Sequence, residues 1–102
     1  MAGTGNTSVR SYNFYLDTTV QGAGTYAENG PHNFIDASDG TLFTSHTLMF
    51  SNDSGNAFYF SLDGVNDHGR LAANEKLTQD FRRAKRIWFR GTAGSAFRFW
   101  AY

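Results

Sequence analysis

Two runs near the C-terminus alternate in residue character across the turn sequence Gly91-Thr92-Ala93-Gly94. In the first, Ile87 and Phe89 fall on one face and Arg86, Trp88 and Arg90 on the other. In the second, Phe97, Phe99 and Ala101 oppose Ala96, Arg98, Trp100 and Tyr102. A side-chain period of two is that of a β-strand with one buried face, and it is incompatible with the 3.6-residue period of a helix. Shorter runs of the same kind recur along the chain, which therefore reads as all-β. Ten Phe, five Tyr and two Trp agree, since aromatic side chains suit a pleated, half-buried surface. Eleven Gly, with many Asn, Asp and Ser, supply the turns.

Along the chain, residues 1–7 read as a flexible N-terminal arm and residues 8–102 as one β-sandwich domain. Residues 10–16 read as a strand, with Arg10, Tyr12, Phe14 and Leu16 on one face. Residues 32–36 form a short strand around Phe34 and Ile35, and residues 41–44 and 47–50 read as strands broken near His46. The polar stretch 51–56 turns the chain into a strand over 57–62, and the pair is expected as a hairpin. Residues 76–78 are a short strand and residues 79–84 a candidate helical turn. Residues 85–90 and 95–102 form the clearest strands, with Gly91-Thr92-Ala93-Gly94 implying a second hairpin. Seven or eight short strands at this spacing indicate an antiparallel sandwich or small barrel, and the expected fold is a single-domain antiparallel β-sandwich, jelly-roll-like in form. Its core is expected to hold Phe58, Phe60, Leu62, Ile87, Phe89, Phe97 and Phe99.

The chain has 102 residues, enough for one core without covalent staples. It has no cysteine, which excludes disulfides and thiolate metal sites. No apolar run reaches the length of a membrane span, and the first residues lack the charged and apolar regions of a signal peptide. No membrane association is expected.

The formal net charge of zero hides a polarised sequence. The last twenty-two residues contain six of nine basic groups and no carboxylate, while the first eighty contain three basic groups and all nine carboxylates. Interleaved aromatic and basic residues in the C-terminal block mark Arg82, Arg83, Lys85, Arg86, Trp88, Arg90, Arg98 and Trp100 as the candidate partner-binding set. If the last two strands formed a hairpin, Arg86, Trp88 and Arg90 would share a face with Arg98, Trp100 and Tyr102. Such a face suits single-stranded nucleic acid, in which bases stack on aromatics and phosphates take the charge. It equally suits a protein interface, where Trp, Tyr and Arg are enriched at hot spots. The neutral whole-chain charge favours the protein partner over nucleic acid.

No catalytic residues, metal ligands or cofactor-binding residues are marked. Residues 63–68 carry oxygen ligands at short spacing but lack the terminal glutamate of a calcium-binding EF-hand loop, so they read as a solvated turn with Asx caps. His32, His46 and His68 lie on separate segments without zinc-site spacing. Ser45-His46 and the Ser61/Asp63 pair are neighbours in sequence only, with no nucleophile elbow. The glycine turns lack the Lys-Ser/Thr of a phosphate cradle.

Residues 56–102 resemble small β-sandwich structural proteins of tailed bacteriophage virions. The resemblance rests on a Phe60-Ser61-Leu62-Asp63-Gly64 step, then Glu75-Lys76-Leu77-Thr78, a basic Ile87-Trp88-Phe89-Arg90-Gly91 strand and a terminal aromatic strand. It implies a non-enzymatic, multi-copy capsid decoration or neck/collar protein, assembled in the bacterial host cytoplasm and resident in the virion. Its expected partners are other virion proteins (capsid, portal/connector or tail) and further copies of itself. The alternatives that the residues leave open are a carbohydrate-binding module, with exposed aromatics stacking on sugars, and a single-stranded nucleic-acid-binding domain.

Overall fold

The computed structural model describes residues 13–102, so the expected arm and the start of the first strand lie outside the described residues. The alternating segments form eight strands: β1 Phe14–Thr19, β2 His32–Asn33, β3 Thr47–Asn52, β4 Phe58–Ser61, β5 Gly69–Leu71, β6 Lys76–Asp80, β7 Arg86–Gly91 and β8 Ala96–Ala101. The only helical element among the described residues is a 3-10 turn at Tyr26–Glu28. Two four-stranded antiparallel sheets result, ordered β1-β8-β3-β6 and β2-β7-β4-β5. These are the strand orders of an eight-stranded jelly roll.

In this topology every connection except β4–β5 passes from one sheet to the other. Both expected hairpins are therefore corrected: β3 and β4 lie in different sheets, as do β7 and β8. The reason lies in the buried faces. Phe50 of β3 and Phe60 of β4 stack across the sandwich with ring centroids 4.3 Å apart. Phe89 of β7 and Phe97 of β8 meet in the same way at 4.4 Å. Facing sheets let each strand of a pair bury its apolar side against the other. A flat hairpin would leave both apolar sides on one open surface.

The core joins these rings to Phe34, Phe58, Phe99, Leu48, Leu71, Ile87, Val20 and Ala101, all buried. Leu62, expected in the core, packs against its margin and is half-buried. Phe89 sits at the centre, within 6.4 Å of the rings of Phe50, Phe58, Phe97, Phe99 and His32. Its contacts with Phe50, Phe58 and Phe99 are edge-on, a geometry that the aromatic quadrupole favours.

Three further expectations shift. The expected helical turn over 79–84 is strand to Asp80 followed by a turn, and β7 begins at Arg86. The expected strand over 41–44 reduces to a single bridge between Ile35 and Leu42, and β2 ends at Asn33. Phe34 is nonetheless fully buried, so the apolar signal there was one of core membership.

Candidate interaction surfaces

Because β7 and β8 belong to different sheets, their outward side chains leave the sandwich on opposite sides. The structure therefore does not unite Arg86, Trp88 and Arg90 with Arg98, Trp100 and Tyr102 on one face, as the hairpin would have done. The candidate residues divide among two sheet faces and one end of the molecule.

On the outer face of β1-β8-β3-β6, the antiparallel register sets Tyr15, Trp100, Met49 and Thr78 in one cross-strand row. Asp17, Arg98, Ser51 and Lys76 form the next. The Arg98 guanidinium donates to Asp53 through Nε at 2.8 Å and Nη2 at 3.0 Å, and Nη2 also donates to Ser51 Oγ at 3.3 Å. It lies 5.5 Å from the Trp100 ring, whose other neighbour is Tyr15 at 5.3 Å. The hydrogen bonds from Arg98 are the main reason that the Asp53 carboxyl titrates below its ordinary range. Tyr102, two residues beyond Trp100, donates through Oη to Met49 Sδ at 3.1 Å.

The outer face of β2-β7-β4-β5 carries the row Arg70, Tyr59, Arg90. Arg90 is fixed in two directions. In its plane, Nε donates to Asp67 Oδ1 at 2.9 Å and Nη2 to Asp67 Oδ2 at 2.6 Å. Face-on, its Cζ stands 3.9 Å from the Tyr59 ring centroid. Tyr26 completes the group, its hydroxyl donating to Asp67 Oδ1 and its ring 5.8 Å from the guanidinium. Arg90 first, and Tyr26 second, hold the Asp67 carboxyl down to about 2. Burial first, and Asp67 second, push the Tyr26 phenol above its ordinary value.

Trp88, on the same face, is half-buried beneath two loops. A Cβ added to Gly30 would lie 2.5 Å from Trp88 Cδ1, and one added to Gly64 would lie 2.9 Å from Trp88 Cε2. Both glycines are thus where the backbone closes over the indole. This tryptophan of the predicted set is a packing element.

The Gly64 loop holds its shape through Asp63. Its Oδ1 accepts from Ser61 Oγ and from the backbone N–H groups of Val65 and Asn66, each at 2.8 Å, and its Oδ2 accepts from Asn66 Nδ2 at 2.9 Å. These bonds, led by the Asn66 N–H, hold Asp63 well below the carboxylate range. The carboxylate acts as the expected Asx cap, with its acceptor capacity taken up locally. His68 Nδ1 accepts from the Leu62 N–H at 2.9 Å, and the His32 ring packs on Phe89 at 5.8 Å. Burial lowers the His32 pKa.

The third location is the connection between β6 and β7, with the first residue of β7. Among the described residues, Arg82, Arg83, Lys85 and Arg86 form no ion pair, in contrast to Arg90 and Arg98. Arg83, Lys85 and Arg86 are exposed and Arg82 is half-buried. Phe81, just before them, is 89% exposed and has a φ of 62°. The sequence placed Phe81 in the basic block without marking it as a site. An aromatic residue in a strand-dense chain signals burial by default, and only the backbone turn sends it outward. The same reasoning missed Tyr26, Tyr59, Asp53 and Asp67, whose roles depend on register and loop closure.

Searches against protein-family models, curated proteins and solved structures return no match for this chain.

Proposed function

We propose that this chain is a structural component of a tailed-bacteriophage particle. In this reading it is a non-enzymatic, multi-copy capsid decoration or neck/collar protein that binds other virion proteins and further copies of itself. The resemblance of residues 56–102 to small virion β-sandwiches supplies the setting. The observation that carries the assembly reading is the pair of stiffened arginine–aromatic patches on opposite sides of one small sandwich. Arg98 beside Trp100 and Tyr15 occupies one face, and Arg90 on Tyr59 the other. Each guanidinium is already held by a carboxylate of the same chain, so little side-chain freedom is lost when a neighbour packs against it. Patches on opposite faces suit a subunit that bridges two neighbours in a shell or ring.

The test is quantitative mass spectrometry of purified particles from the source phage. The expected result is the chain at a fixed multi-copy ratio to the major capsid or portal protein, retained through density-gradient purification. Loss of the chain from intact particles under those conditions would refute the reading.

A second reading rests on the Tyr15–Trp100 row with Asp17 and Arg98 beside it, since an aromatic surface edged by polar groups can stack on sugar rings. Retardation on polysaccharide gels, lost in Trp100→Ala, would favour a carbohydrate-binding module instead. Nucleic acid is not proposed, because the continuous cationic and aromatic track it requires is divided between opposite faces of the sandwich.

A further inference from the structure

We infer that Phe81 and the cations following it form a preorganised docking knob for an apolar pocket rimmed by carboxylates on a different protein. The inference deepens the assembly reading by naming one contact and the chemistry of its partner.

The first observation is a broken local rule. Among the described residues the left-handed region is occupied by Gly22, Gly24, Gly40, Gly64, Gly94, Asn74 and Phe81. Six of these seven are residues that enter that region readily, whereas a bulky aromatic there is strained. At Phe81 the strain is not offset by burial, since the ring is 89% exposed. A glycine would make the turn without this steric strain, so the ring stands there against both local strain and hydration. Such a combination points to a function for the side chain.

The second observation is the rigidity of what carries it. Ser45 is fully buried, and its hydroxyl donates to the Arg82 carbonyl at 2.7 Å and accepts from the Ala84 N–H at 3.0 Å. The Ser45 N–H donates to the Ala84 carbonyl at 2.7 Å, and the Phe34 N–H to the Lys85 carbonyl at 2.9 Å. Residues immediately after Phe81 are therefore clamped to the core-facing loop over 34–45. That loop also exposes Ile35 and Leu42 at 41% and 44%, joined by a β-bridge. A ring held on a fixed base loses little freedom on binding, as an anchor residue requires.

The third observation identifies the partner. Arg82, Arg83, Lys85 and Arg86 follow the ring in sequence and form no ion pair among the described residues, which calls for carboxylates opposite them. Asp80 precedes the ring, and Asp36 and Asp39 lie in the loop to which the base is clamped. Acidic residues this near in sequence and in the clamped loop break the run of cations that a phosphate backbone or an anionic membrane would engage. No pocket opens among the described residues to seat such a ring, which favours a different protein as the occupant.

The full chain is immobilised and used to select binders from a random peptide library, and the affinities of selected peptides are measured in solution. The expected peptides combine aromatic or aliphatic residues with an excess of Asp and Glu. Phe81→Gly is expected to weaken them at least about thirtyfold, the size of a hot-spot loss. Its melting temperature should stay the same or rise, because glycine relieves the left-handed turn. The double variant Arg83→Glu/Arg86→Glu should weaken the same peptides with its fold intact. Peptides without an acidic excess, or undiminished affinity for Phe81→Gly, would overturn the inference. So would failure to select any binder, or a clear fall in the melting temperature of Phe81→Gly, which would make the ring structural. Retention of oligo-dT or of phosphatidylglycerol vesicles in place of peptides, or concentration-dependent self-association abolished by Phe81→Gly, would also defeat it. None of these results depends on particle composition, so the assembly reading stands or falls separately.

Discussion

Arg90 is oriented by two interactions at right angles, the Asp67 carboxylate in its plane and the Tyr59 ring on its face. Both partners of the ion pair are about 40% exposed, so water screens the charge and the pair alone contributes only ~0.2–1 kcal/mol. The stacked ring adds ~0.5–1 kcal/mol at such a site. Arg90→Lys keeps the charge but loses the forked geometry and the planar stack, so urea denaturation should show a loss of about 1 kcal/mol. A wild-type value would mean that charge alone matters there. The same residues set a pH window. Asp67 titrates at about 2 in the fold against an ordinary 3.8, so its stabilisation is complete above 3.8 and is lost as pH falls through about 2. His32 is lowered from 6.5 by burial, so stability begins to decline once pH drops below 6.5. Tyr26 is raised above 10.0, so its contribution is complete below pH 10.0 and declines at higher pH. Melting temperatures should therefore plateau between roughly pH 6.5 and 10 and fall on either side. His32→Leu should remove the first acid step and Asp67→Asn should reduce the later one. A profile flat from pH 8 to 3 would contradict both assignments.

Among the elements, β5 is the most dependent on a single residue. Gly69 lies opposite Phe60 in the β4–β5 register, and an added Cβ would come within 2.2 Å of the Phe60 ring. That ring is fully buried and stacked on Phe50 at 4.3 Å, so it has nowhere to move. Gly69→Ala is expected to destabilise the fold by at least about 1–3 kcal/mol, the usual range for overpacking a filled core. Ala at Gly55, where added atoms meet open space, should change stability little. Equal melting temperatures for the two variants would show that the ring has room to rotate. The neighbouring elements show how much the sequence discloses. The alternation in β7 and β8 identified both strands and the buried partners Ile87, Phe89, Phe97 and Phe99, because a period of two is local information. Whether successive strands pair side by side or face across a core is not local. The alternation reads the same either way, and a loop of four or five residues can serve either arrangement. The hairpin expectation failed at β3–β4 and β7–β8 for that reason. The candidate surface inherited the error, since Arg86 and Arg98 share a face only if β7 and β8 share a sheet. Trp88 is a similar case, because its cover comes from Gly30 and Gly64, distant in sequence.

Over the whole molecule, the sequence polarisation of −6 followed by +6 is only partly a polarisation in space. Folding brings Arg90 to Asp67 and Arg98 to Asp53, so two cations of the basic block are paired within the chain. The four that form no ion pair among the described residues lie in the β6–β7 connection and at the first position of β7, at one end of the sandwich. Any charge-driven contact is therefore concentrated on a short connection instead of being spread along the C-terminal strands. This makes a collective test decisive. Replacing a single exposed arginine should do little, because rim pairs contribute ~0.2–1 kcal/mol each. Arg82→Glu, Arg83→Glu and Arg86→Glu together change the net charge by −2 at each site, from 0 to −6. The lost attractions are then joined by direct repulsion from an acidic partner. The fold should survive, since Ile87 and Phe89 remain in the core, and the Arg82 carbonyl that Ser45 holds is backbone. A loss under 1 kcal/mol would lower the melting temperature of a domain this size by no more than about 4–8 °C. Occupancy in reconstituted particles should fall at least about tenfold, the result of losing ~1.4 kcal/mol of association energy. Full occupancy with an unchanged melting temperature would mean that this end of the sandwich is solvated surface. The contact would then rest on the Trp100 and Tyr59 faces alone, where Arg98 and Arg90 are already paired with carboxylates and shape, more than charge, would select the neighbour.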